Sequence, residues 1–155
     1  MYCSQSDLEE VIDQATIVRL TDDEALATDP TDLDASIVEN AAIGSRLSRA
    51  LADATATVDG FLRTRYHLPL SPVPPYIRKL AVDLALFNLF SRRSHQMGMP
   101  DERAAAHKAA RSALELMRKG ELDAGSEPQP TESSAVIADT DGPDREFTHD
   151  TMKDF

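Results

Sequence analysis

The sequence predicts an all-α fold: a small four-helix domain over residues 1–120 followed by an extended acidic segment over 121–155. Three observations lead there. Alanine, the best helix former, occurs 21 times in 155 residues, while glycine occurs only 6 times. Apolar residues recur at alternating steps of three and four through the middle of the chain. Aromatics are 5% and tryptophan is absent, so the core must be aliphatic; a sandwich or barrel would need more β-branched strands and glycine-rich turns.

The first helix is expected near residues 4–14. Ser4 can cap it, with Asp7 three residues on completing a capping box. Leu8, Val11, Ile12 and Ala15 then share a face. Residues 21–36 read as an acidic connector interrupted by Pro30. Its aspartates lack the alternation, central glycine and closing glutamate of a calcium loop.

The second helix is expected over 37–65, with Ser36 and Glu39 as its capping box. Its stripe runs Ile37, Ala41, Gly44, Leu47, Leu51, Ala54, Val58, Phe61, Arg65, either as one helix or as two with a kink near Gly44. Arg46, Arg49 and Arg63 lie on the opposite face. The prolines between Leu68 and Pro75 must end it, and Pro74 and Pro75 suit the start of a third helix over 75–92. That helix is apolar nearly all round, as a central helix should be. Asp83 within it needs a partner, and an arginine of the preceding helix is the expected one. Asp101 is expected to cap the fourth helix, 101–119, with Ala105, Ala109, Ser112, Ala113, Leu116 and Met117 inward. Arg118 and Lys119 suit its negative end, and Gly120 suits the position just past it. The expected core includes Leu51, Val58, Phe61, Leu62, Leu80, Leu84, Phe87 and Leu116.

Charge is segregated along the chain. Residues 1–43 carry 11 acids and 1 base, residues 44–120 carry 6 acids and 13 bases, and residues 121–155 carry 10 acids and 2 bases. Solvated helix faces would account for this. So would self-association, with an acidic arm of one copy on the basic body of the next. In that second reading Arg46, Arg49, Arg63, Arg78 and Arg111 face acids of the adjacent copy at 22–34. The last segment has the composition of a chain that cannot fold alone, yet it holds Ala135 to Ala138 and ends in Phe147, Met152 and Phe155. Those three are the candidate partner-docking residues.

Catalytic, cofactor and metal sites are not expected. His67, His95, His107 and His149 share no ligand spacing with each other or with Cys3, and no phosphate loop follows a strand. The proline-rich connection at 66–75 is too long for a helix–turn–helix. No apolar run reaches membrane-spanning length. The opening residues Met1 to Ser4 lack a basic or apolar region, so no signal peptide is expected, and one cysteine suits the cytosol.

The run Val58-Asp59-Gly60-Phe61-Leu62-Arg63-Thr64-Arg65-Tyr66-His67-Leu68-Pro69-Leu70 resembles the signature of the Mu-like prophage head–tail connector (adaptor) family of tailed bacteriophages. Tyr2-Cys3 with Leu8, Leu20-Thr21-Asp22, Lys119-Gly120-Glu121 and the segment from Phe147 to Phe155 are similar to further stretches of that family. Residues 26–46 look longer than usual, and Phe61 stands where Tyr is common. The resemblance implies a non-enzymatic virion protein that forms a ring, usually of twelve copies, beneath the portal protein. It implies that the ring extends the DNA channel without binding DNA specifically and meets a downstream neck protein. It also implies assembly in the host cytoplasm and residence at the neck of the virion. The competing class is a small acidic helical regulatory or protein-binding module.

Overall fold

The computed structural model describes residues 1–127. They form seven helices and no β-strand: α1 (Gln5–Glu9), α2 (Gln14–Thr21), α3 (Leu33–Glu39), α4 (Ala41–Leu62), α5 (Pro75–Arg92), α6 (Ser94–Met97) and α7 (Asp101–Lys119). The all-α class holds; the four-helix count does not. Ala135 to Ala138, Phe147, Met152 and Phe155 lie outside the described residues.

The extra helices come from short polar side chains that compete for backbone N–H groups. Ser4 caps α1 as expected, with the reciprocal Asp7 bond at 2.7 Å. The chain then breaks, because Asp13 caps α2 by accepting from the Thr16 N–H at 2.9 Å. The connector expected over 21–36 contains the start of α3, capped by Asp32. Ser36 is therefore not a cap. It sits inside α3, and its hydroxyl donates to the Asp32 carbonyl at 2.7 Å. The break before α4 is at Asn40, whose side chain accepts from Ala42 N–H at 3.0 Å, and Gly44 is helical. A Cβ on Gly44 would stand 3.0 Å from Ile37 Cγ2, so the glycine serves the close approach of α3 to α4. At α7 the cap position is Pro100, and Asp101 is the first helical residue.

α5 is the central helix. It packs against α4 and α7, and also meets α1, α2 and α6, while α2 and α3 pack on α4. Leu80, Leu84, Leu86 and Leu89 are buried along it, as the apolar circumference predicted. Leu51, Val58 and Leu62 of α4 are buried too. Phe61 and Phe87 are only half-buried, and Leu116 is 39% exposed, against expectation. The inward stripe of α7 is Ala110, Ala113, Leu114 and Met117. Alanines at 105, 109, 110 and 113 leave two phases of the helix open. Ala113 and Met117 are inward as expected, but Leu114 takes the place of Leu116, and Ala105, Ala109 and Ser112, expected inward, are exposed. Asp83 also finds a different partner: Lys79, one turn earlier on the same helix, at 2.8 Å.

Candidate functional site

The most densely bonded surface is an arginine clamp that the sequence analysis did not anticipate. Arg92 donates both terminal nitrogens to Asp23, at 2.6 and 2.8 Å, and also reaches the Leu20 carbonyl at 2.8 Å. Arg93 donates to the carbonyls of Asp22, at 2.9 Å, and Arg19. Arg46 from α4 donates to the Thr21 carbonyl at 2.7 Å and pairs with Asp23 at 3.3 Å. Three guanidinium groups thus gather at the carbonyl-rich, negative end of α2, where cations are most favourable. Their bonds, led by that of Arg92, hold the Asp23 carboxyl below its ordinary range. The signal was present as Asp22-Asp23 and Arg92-Arg93, but 69 residues separate the partners.

The clamp places one of the expected interface arginines. Arg46 is engaged with Asp23 of its own chain. Arg49 is exposed and loosely paired with Asp53 on its own helix at 3.8 Å. Arg63 and Arg78 are exposed on the ends of α4 and α5. Arg111 is exposed on α7, its guanidinium carbon 5.9 Å from the Phe61 ring centroid.

Arg111 borders a groove of about 610 Å³ between α4 and α7, lined by Phe61, His107, Lys108, Ser112, Glu115 and Leu116. His107 stacks on Phe87 with ring centroids 3.7 Å apart. Burial, then the neighbouring Arg111 charge, lowers the His107 pKa, so the ring lies neutral at pH 7. Glu115 is engaged by Arg118 at 2.5 and 2.9 Å, which leaves Lys108 and Arg111 to set a positive rim.

The residues of the signature run meet at one junction. Val58, Leu62, Tyr66 and Leu70 are buried there. The Tyr2 hydroxyl donates to Asp59 and accepts from the Leu70 N–H, joining the opening segment to α4 and to the proline loop. Burial, aided by Asp59, pushes the Tyr2 pKa up to about 12. The Tyr66 hydroxyl accepts from the Ala124 N–H at 3.1 Å, and Ala124 is buried. Arg65 lies against Gly120, where a Cβ would stand 2.1 Å from its Nη1. The run therefore latches the first residues and the exit of α7 onto the end of α4. Cys3, free and buried beside this junction, has a thiol pushed up to about 11 by burial.

Among the described residues no three His, Cys, Asp or Glu side chains gather as a metal site. None of the described helices is long and apolar enough to cross a membrane.

Comparison with known proteins agrees with the junction's signature. "Gene product J" of Escherichia phage Mu is 33% identical over 79 residues, which cover 51% of this chain and 52% of that protein. The chain thus spans about half the length of the curated relative it matches. A sequence model described as Bacteriophage Mu, Gp36 matches residues 2–139, nearly the whole chain and all of the junction. On that match, the chain belongs to the bacteriophage Mu Gp36 family.

Proposed function

We propose that this chain is a structural, non-enzymatic protein of a Mu-like phage neck. In this reading it is a head–tail connector, or adaptor, that forms a ring of about twelve copies under the portal protein. The ring extends the DNA channel and links the capsid to a downstream neck protein. The protein would work in the virion after assembly in the host cytoplasm.

One observation carries the reading. With Arg46, Arg92 and Arg93 engaged around Asp23, the body still has two surfaces of opposite charge. Glu10, Asp13, Glu24, Asp29 and Asp34 are exposed on the α1–α3 side, and Arg63, just past α4, with Lys108 and Arg111 of α7 on the other. A subunit with two complementary surfaces associates head to tail, and such contacts close into rings when the rotation permits. Family membership with a phage Mu protein supports the setting. An acidic protein also suits a DNA channel, because it does not neutralise phosphates and so lets DNA slide.

Mixing the purified chain with portal rings of the same phage and imaging the product tests this. The expected result is an added ring on one face of the portal. A chain that stays unbound at high concentration refutes it. Phe147, Met152 and Phe155 are the proposed anchors on the portal, since a few buried apolar side chains carry most of such binding. Deleting residues 143–155 should leave the helical signal and melting temperature unchanged and abolish capture by portal rings. Undiminished capture, or collapse of the helical body, would each overturn the docking role.

A further inference from the structure

We propose that the α4–α7 groove of one copy receives the corner of a second copy formed by Leu26 and Val38. The inference rests on the ring reading above and names the surfaces that meet.

The groove is apolar inside and positive at its rim. Phe61 and Leu116 form its apolar walls, and Lys108 and Arg111 are exposed beside them. Glu115, the acid in its lining, is held by Arg118. The geometry therefore suits an apolar knob flanked by carboxylates.

The same chain carries such a knob elsewhere. Val38 is 86% exposed, the most exposed large apolar side chain among the described residues, and Leu26 is 59% exposed. Glu39, next to Val38, accepts from the Thr28 N–H at 2.8 Å, which brings the loop of Leu26 to the end of α3. The loop is further fixed by Asp22, which accepts from the Ala27 N–H at 2.9 Å. Glu24 and Asp29 stand exposed around it. These bonds shape the corner before any partner arrives, which reduces the ordering cost of docking.

Corner and groove are both open in one chain, so the corner does not fill its own groove. α3 packs on α2 and α4, whereas α7 packs on α4 and α5. The contact is therefore between copies and heterologous: it uses different patches on the two partners, as ring closure requires. Opposite charge fixes which patch meets which and suppresses the like-with-like pairings.

The test uses the full chain at concentrations where sedimentation detects oligomers, and the portal-bound form in parallel. Lys108→Glu with Arg111→Glu should weaken self-association at least about tenfold, the equivalent of about 1.4 kcal/mol. Glu24→Lys with Asp29→Lys should do the same. Mixing the two variants should restore association, because opposite charges then meet again at a shared seam; a merely misfolded variant would not be rescued. In a second measurement, a Val38→Cys chain mixed with a Ser112→Cys chain should give a disulfide-linked heterodimer under mild oxidation. If the wild type oligomerises but the mixture shows neither rescue nor cross-link, the seam is wrong and the ring reading stands. If the wild type forms no oligomer, alone or on the portal, both fall.

Discussion

Replacing Gly120 by alanine should destabilise the protein through two separable effects. Gly120 ends α7 with φ +82° and ψ 15°, the left-handed region. There the Glu121 N–H returns to the Leu116 carbonyl at 2.9 Å and the Gly120 N–H to Met117 at 3.1 Å. An L-residue in that conformation costs roughly 1–2 kcal/mol. The second effect is steric. The new Cβ would stand 2.1 Å from Arg65 Nη1 and 2.5 Å from Cζ, so the guanidinium must leave its place. Residues in such contact couple by about 0.5–3 kcal/mol, which brings the expected total to about 1.5–5 kcal/mol. Urea melts followed by circular dichroism at 222 nm measure it, for Gly120→Ala, Arg65→Ala and the double variant. In the Arg65→Ala background the cost should fall to the backbone effect alone, about 1–2 kcal/mol. Equal costs in both backgrounds would refute the Arg65 contact. A cost below about 0.5 kcal/mol would refute the left-handed exit itself.

Three further outcomes are expected. Leu84→Ala should cost about 2–5 kcal/mol in denaturant melts while Leu116→Ala costs under about 1 kcal/mol; the reverse order would mean that α7 has the other phase. Tyr2 is held neutral in the fold with its pKa pushed up to about 12, above the ordinary 10.0. Its contribution is therefore fully present below pH 10 and is lost as pH rises toward 12. Tyr2→Phe should remove that alkaline loss, and spectrophotometric titration at 295 nm should lack one late-titrating phenol. Asp23 is the opposite case: its pKa is lowered chiefly by the Arg92 bonds, so its contribution is present above the ordinary carboxylate value of 3.8 and is lost as pH falls below it. Asp23→Asn should flatten the acid side of the stability profile, and an unchanged profile would show that the clamp adds nothing to folding.

The clamp also shows why charge segregation in a sequence is hard to place in space. Residues 1–43 are acidic and residues 44–120 basic, which fits attraction between copies and attraction within one. At Asp23 the second holds. Asp23 follows the carbonyl end of α2, and folding brings Arg46, Arg92 and Arg93 to that end. Elsewhere the ion pairs join near neighbours on one helix, Lys79 with Asp83 and Arg118 with Glu115.

Local chemistry legible in the sequence determined the all-α class, the Ser4 cap, the proline break before α5, the central place of α5 and the glycine exit of α7. Each depends on residues within one or two turns of each other, or on an apolar pattern with one clear answer. Tertiary structure decided the rest, for identifiable reasons. Asp13, Asp32 and Asn40 all had the chemistry to cap a helix, as did Ser36. Which of them does so depends on how the short helices pack around Leu33 and Ile43, both fully buried. The phase of α7 was ambiguous because alanines line two of its faces, and only contact with α4 and α5 selected Leu114 over Leu116. The junction of Tyr2, Arg65, Tyr66 and Gly120 was visible as a motif but not as a latch. Its partners lie more than fifty residues apart, and only the packing of α4 beside α7 brings them into contact.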